Sequence, residues 1–513
     1  MEKLTAQLNH LLDTEQFEDA RIIIENKLAE NPEDNSTNNL FLQIELYGFL
    51  VDIGCALHKE DDITRGIQFM ETNAEALKLV TTKGSYYYNL ANAKHGLAKI
   101  FYSNNRGIHP IPVVAAKFKD AIDLYWMSYK SEGNTPFMIH QILINLSSSL
   151  MTTGRIIEAL QILDMVLREA PAFPQALVAR GEDLEFLSNY TNSPVTIALF
   201  TQIYLSYKRA IETNQIPPTV LQKSQEGITR AVRSIEAYGF SVADLSKEIK
   251  ETKKEYADHS PFRKFCIDNF LTLNEHSIYC NCVATSKDEL QIGIPNVLFK
   301  GEVLPKLELL LNRIKSEFGF ARWSYYKSET ELPIDYDMQF SDLLDGEIIN
   351  SRTETLRTSY RICYGILDKI ALGICKMYKT EGGNIFFERF WMDKNRKPIL
   401  DAQRNFYLNA LYSIASDLNT KTGELKHFKN WRNKLEHNLL ILKDTKLRTP
   451  DQLNIFEDED FVAIADINEF REKTLLLLQL TRAAIFSFVY CVRLETITKQ
   501  AARGDQYHTI RLK

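Results

Sequence analysis

The chain has 513 residues, more than a single hydrophobic core ordinarily organises, so two to four domains are expected. A hydrophobic fraction of 45%, a charged fraction of 25%, 21 Gly and 15 Pro describe a soluble globular chain that folds throughout, and they exclude a peptide hormone, a small disulfide scaffold and a mostly disordered protein. The net charge of −6 argues against a protein that coats nucleic acid or anionic membrane with its whole surface, but leaves room for a local basic site.

Seven cysteines are scattered through the chain, several in apolar periodic stretches where a thiol acts as a small core residue. A reducing, cytoplasmic setting is expected. The N-terminus mixes acids with apolar residues and lacks the basic and continuous apolar regions of a signal peptide. One run, Leu475 to Val492, has membrane-like hydropathy, but it contains Gln479, Thr481 and Arg482 and is expected to be a buried helix of a bundle, with no membrane partner.

Apolar residues at three- and four-residue spacing predict helices nearly everywhere, hence an all-α fold. In residues 140 to 171, Leu143, Leu146, Leu150, Gly154, Ala159, Leu163 and Pro171 fall where a helix pair needs large, small and terminating residues, and Gly181 takes the small position of a following unit. Residues 1 to 32 repeat the theme through Leu8, Leu11, Phe17, Ala20, Ile24 and Pro32, and residues 85 to 130 form a divergent pair around Leu90 and Ala121. These units resemble tetratricopeptide repeats. The resemblance implies a helical solenoid over residues 1–250 whose groove holds a protein or peptide partner.

The charged stretch KEIKETKKEYADHSP marks a change of character, with a boundary near Asp258. Short irregular apolar runs follow, then helical patterns over 303 to 320, 352 to 379, 399 to 418, 429 to 444 and 467 to 498. Residues 258–513 are therefore expected to be a helical bundle with an irregular entrance segment.

Phosphate-cradling glycine loops, zincin motifs and serine-hydrolase elbows are absent from the sequence. His276, Cys280 and Cys282 include metal-binding residue types, but lack the second pair that a zinc site needs, and packing is the simpler reading. No metal or cofactor is expected.

Two R-x4-H arrangements occur. Arg503–His508 lies in the C-terminal tail, where chains fray, whereas Arg432–His437 heads a predicted helix. On a helical wheel Trp431, Leu435, Leu439 and Leu442 form a core stripe, and Asn433 and His437 share the opposite side. Leu440 and Ile441 flank that outer side and suggest a surface covered by a second subunit. Between Lys421 and Arg448 there are eight basic and three acidic residues, so positive charge is concentrated around this motif. A polyanion would be drawn to it, with Lys426, Lys429 and Lys434 as phosphate contacts and His427, Phe428 or Trp431 free to stack on bases.

Arg432-Asn433-Lys434-Leu435-Glu436-His437, preceded by SYRICYGILDKIALGICKMY at 359–378 and FLTLNEHSIYCNC at 270–282, resembles the HEPN family. The resemblance covers roughly 258 to 500. It implies a metal-independent endoribonuclease in which Arg432, His437 and Asn433 are catalytic. The site is completed across a homodimer, and cleavage leaves a 2′,3′-cyclic phosphate and a 5′-hydroxyl. Leu439 stands where some members carry a Tyr that an antitoxin modifies. The whole chain is then expected to be a defence or toxin effector whose repeats sense a partner. A non-catalytic adaptor, with the bundle serving dimerisation, is the alternative.

Overall fold

The computed structural model describes residues 2–30, 37–104, 111–191, 197–242, 256–280, 285, 287–293, 303–331, 347–444 and 461–503. The fold is all-α, with one small two-stranded sheet among the described residues. Two compact units emerge, Met1–Asp183 with Ile203–Arg230, and Leu184–Gln202 with Ala231–Lys513. Much of the expected 245–258 linker lies outside the described residues, as do Cys282 and His508.

The first unit contains α1 (Glu2–Asp13), α2 (Phe17–Glu30), α3 (Thr37–Leu57), α4 (Glu60–Thr72), α5 (Ala74–Val80), α6 (Lys83–Asn104), α7 (Ile111–Tyr129), α8 (Pro136–Thr152) and α9 (Ile156–Glu169). It also takes parts of α10 (Pro174–Ser188), α11 (Ile197–Glu212) and α12 (Pro218–Ala237). Helices pack mainly on their neighbours in sequence, as in an array of helix pairs. The α8–α9 pair shows why. Thr135 caps α8 by accepting from the Met138 N–H, Pro136 occupies its first turn, and Gly154 takes a φ of 92° to reverse the chain. Ala159, fully buried, keeps the helices close. Gly181 and Gly227 face the Tyr207 ring, where a Cβ would lie 2.9 Å and 2.4 Å from ring carbons. Leu90 and Ala121 are buried in α6 and α7, and Leu8, Ala20 and Ile24 in α1 and α2, as their periodicity predicts.

The second unit comprises α13 (Pro261–Asp268), α14 (Val303–Thr330), α15 (Ser351–Met377), α16 (Lys397–Asp401), α17 (Phe406–Asp417), α18 (Lys426–His437), strands β1 (Leu439–Lys443) and β2 (Val462–Asp466), and α19 (Ile467–Arg503). Helix α19 is the core of the bundle, packing on α14, α15 and α17. Among the described residues two helices are long and apolar enough to cross a membrane, Asn39–Leu57 as well as Ile467–Lys499, and the apolar window of the second is 83% buried inside the protein.

The irregular entrance segment is held by arginines. Buried backbone outside helices leaves carbonyls without partners, and here Arg322 donates to the Leu271 carbonyl (2.7 Å), Arg482 to that of Thr272 (2.9 Å) and Arg493 to that of Ile292 (3.1 Å). Arg322 also pairs with Asp288, and Arg493 with Glu275 at 2.8 Å. Arg482, which interrupts the membrane-like run, is thereby a fastener of the bundle.

Two predicted elements are corrected. The single helix expected over 399 to 418 is broken, because Asn405 starts α17 by accepting from Tyr407 and Leu408 N–H while donating to the Cys491 carbonyl. The helix expected over 429 to 444 ends at His437. Leu439–Lys443 instead pairs in parallel with Val462–Asp466, in register from Leu439↔Val462 to Lys443↔Asp466. A short apolar run suits either conformation, and its distant partner strand decides.

Candidate active site

Helix α18 is oriented by its buried face. Phe428 and Leu435 enter the core, and the Tyr360 hydroxyl of α15 donates to the Phe428 carbonyl at 2.7 Å. The Tyr360 ring stacks on Phe470 (5.1 Å), which also contacts Trp431 (5.4 Å). At the other end, Arg361 donates to the Leu435 carbonyl (2.9 Å) and pairs with Glu436 (3.4 Å). A guanidinium on the last carbonyls of a helix satisfies orphaned acceptors and complements the helix dipole.

This anchoring presents Arg432, Asn433 and His437 together. Arg432 Nη1 lies 3.3 Å from His437 Nε2 and 3.4 Å from Asn433 Oδ1. A guanidinium is a donor only, so in this contact Nε2 is the acceptor and Nδ1 carries the imidazole proton. His437 is exposed, and Arg432 and Asn433 are half-buried. Because the helix stops at His437, its imidazole occupies the rim of the bundle, open to a large ligand.

Behind the motif is a polar interior. Lys429 Nζ lies 2.7 Å from Glu388 Oε1, both side chains being nearly fully buried, and the ammonium also faces the Tyr364 and Phe386 rings. Asp368 accepts from the Phe387 N–H at 2.9 Å, and burial pushes its carboxyl up. Segment 386–391 is thereby tied to both α15 and α18.

The structure alters several expected roles. Lys429 faces the interior and is not a phosphate contact. Phe428 is fully buried and offers no stacking face, and Trp431 is half-buried, set in the aromatic cluster with Tyr360 and Phe470. Leu440 and Ile441 are buried in β1 and do not flank an outer surface, whereas Leu439, assigned to the core stripe, is 41% exposed. Lys443 is buried as well, and Lys446 and Arg448 fall outside the described residues, so the surface near the motif carries less charge than the segment total. Lys426 is exposed and Lys434 half-buried. His276 and Cys280 are described without Cys282, and among the described residues no group of three metal-ligating side chains is present. Arg361 and Glu388 were not singled out by the sequence, since they lie far from the motif along the chain.

Residues 299–495 match the family model described as LA2681-like HEPN, a span that includes α15, α18 and most of α19. The C-terminal region is thus a HEPN domain, an all-α bundle with the Arg432–His437 motif at its rim. A comparison with curated proteins found no match.

Proposed function

We propose that the protein is a metal-independent endoribonuclease whose reaction centre is built on Arg432, Asn433 and His437. The observation that carries this reading is the 3.3 Å contact between Arg432 Nη1 and His437 Nε2 at the open end of α18. RNA carries its own nucleophile, and cleavage needs a proton removed from the 2′-hydroxyl, charge stabilised on the phosphorane and a proton delivered to the departing 5′-oxygen. Imidazole suits the proton transfers and a forked guanidinium suits the non-bridging oxygens. The 2′-oxygen bonds to phosphorus as the P–O5′ bond breaks, giving a 2′,3′-cyclic phosphate and a 5′-hydroxyl. Asn433 orients Arg432 through its side-chain oxygen, and Lys426 and Lys434 draw the phosphate backbone.

One imidazole serves as base or acid in a given step, so the proposal includes a second copy of the chain facing the first across the site. It also includes a cytoplasmic defence or toxin effector role, in which a partner protein engages tetratricopeptide-like repeats in residues 1–250. The HEPN match supports nuclease chemistry in general terms. The test is incubation of the full chain with total RNA in EDTA, beside His437→Ala. Cleavage with cyclic-phosphate ends that His437→Ala abolishes is expected, and equal activity of the two proteins would reject the assignment.

A further inference from the structure

Three helices of the first unit, α3, α6 and α8, lie side by side and share a polar recess outside its apolar core. On α6, Tyr88, Asn92, His95 and Lys99 recur at four- and three-residue spacing and so occupy one face, and Asn145 reaches them from α8. All five are half-buried or exposed. The Asn145 amide donates to the Tyr88 hydroxyl oxygen and to Asn92 Oδ1, each at 3.0 Å, and the Tyr125 hydroxyl donates to Asn92 Oδ1 at 2.8 Å.

Asp52 of α3 adjoins this network. Burial raises the Tyr88 and Tyr125 hydroxyls and the Asp52 charge adds to it, which sets the acid beside them. Among the described residues the Asp52 carboxylate has no hydrogen-bond or ion-pair partner. The residue is exposed, yet enough protein surrounds the carboxyl to push its pKa up to about 6. Solvent access combined with desolvation describes the floor of a recess, since an acid on a flat surface is fully hydrated and one in a core is paired. Gly48 and Ala56, one turn to either side on α3, are too small to cover it, and a Cβ on Gly48 would meet nothing within 4 Å.

We propose that this recess binds an extended segment of a partner protein through one basic side chain, an arginine or lysine whose charged end seats on Asp52. An unpaired carboxylate complements a cation and repels a phosphate, which disfavours RNA as the occupant. Lys99 stands at the His95 end of the same α6 face and is exposed. It disfavours a polyamine or a run of basic residues, because a second positive charge would meet it. The ligand is thus a single basic side chain with neutral neighbours. Among the described residues Asn145 Oδ1 accepts no hydrogen bond and the Tyr88 hydroxyl hydrogen has no acceptor, so they offer one acceptor and one donor to the peptide backbone. This names the chemistry of the partner proposed for residues 1–250 and rests on that reading, not on the ribonuclease.

The experiment uses the full chain and a fluorescein-labelled heptapeptide mixture with arginine fixed at the centre and alanine, glycine, serine or leucine elsewhere. Beside it stands the same mixture with citrulline, an uncharged isostere of arginine. In anisotropy titrations the arginine mixture is expected to bind about 10-fold tighter, the discrimination of one charge-assisted hydrogen-bonded pair. Asp52→Asn should erase that ratio and leave the fold intact by circular dichroism, because the carboxylate has no partner to lose. Asn145→Ala should weaken both mixtures alike. Spermidine and Nα-acetylarginine amide, added as competitors, should displace the arginine mixture only far above its own dissociation constant. A ratio near one, a ratio that survives Asp52→Asn, or displacement by either competitor at the peptide's own concentration would overturn the proposal. Equal binding of both mixtures that Asn145→Ala weakens would keep a protein-binding array and remove the basic side chain. Binding of neither at about millimolar peptide would remove both.

Discussion

Lys429 Nζ and Glu388 Oε1 form a buried ion pair, 2.7 Å apart, one helical turn before Arg432. The pair fastens segment 386–391 to α18 and separates two lysines that the sequence treats alike, Lys429 inside and Lys426 outside. Removing one partner leaves a buried charge without compensation, at a cost of about 3–5 kcal/mol. Glu388→Ala and Lys429→Ala should each lower stability by that order in urea titrations. Lys429→Met combined with Glu388→Leu should restore most of it. Equal stability of both single variants and wild type would show the pair to be dispensable.

At the motif, His437→Ala should abolish RNA cleavage without loss of stability, since the side chain is exposed. Arg432→Lys keeps the charge but not the fork, and a loss of about 100- to 1,000-fold in kcat is expected. For RNA binding, Lys426→Ala should reduce the salt dependence by about one counterion, whereas the charge of Lys429 should contribute nothing to that slope. Fluorescence anisotropy across a salt series separates the two lysines.

Tyr207 lies between Gly181 and Gly227, where any Cβ would approach its ring to 2.9 Å or less. Gly227→Ala should therefore destabilise the first unit by about 1–3 kcal/mol, the cost of overpacking. Tyr207→Leu in that background should recover part of the loss. A melting temperature unchanged by Gly227→Ala would contradict the packing.

The His95 imidazole accepts or donates a 2.7 Å hydrogen bond with Ser149 Oγ and packs edge-on to Phe118, and burial lowers its pKa to about 4. The unfolded chain, with an ordinary pKa near 6.5, then binds more protons than the native one between those values. His95 therefore costs nothing above pH 6.5, and stability falls as pH drops from 6.5 toward 4, by about 3 kcal/mol in full. Burial pushes the Asp183 carboxyl up, which acts in the opposite sense, so the decisive quantity is the difference between wild type and His95→Leu. That difference should favour the variant increasingly below pH 6.5. A pH-independent difference would remove the assignment.

Periodicity carried most of the helical fold. The α8–α9 pair was legible because its requirements are local: Gly154 for a positive φ, Ala159 for close approach and Leu143, Leu146 and Leu150 for a buried face. Asn433 and His437 were legible for the same reason, since residues four apart share a helix face, and the long Arg432 side chain reaches both of them. The helix expected over 429 to 444 failed where the deciding partner was distant. Leu439–Lys443 adopts a strand because Val462–Asp466 pairs with it.

By itself the sequence determined the all-α class, the motif and the residue types that could move a proton or hold a phosphate, because local spacing sets helical neighbours. Tertiary structure alone decided which charges face water. Lys429 and Lys443 are buried while Lys426 is exposed, and burial depends on residues such as Glu388 that are remote along the chain. It also decided that Arg482 fastens an irregular segment, since the carbonyl it satisfies belongs to Thr272, more than two hundred residues away. A hydrogen bond across that separation leaves no periodic trace in either stretch of sequence.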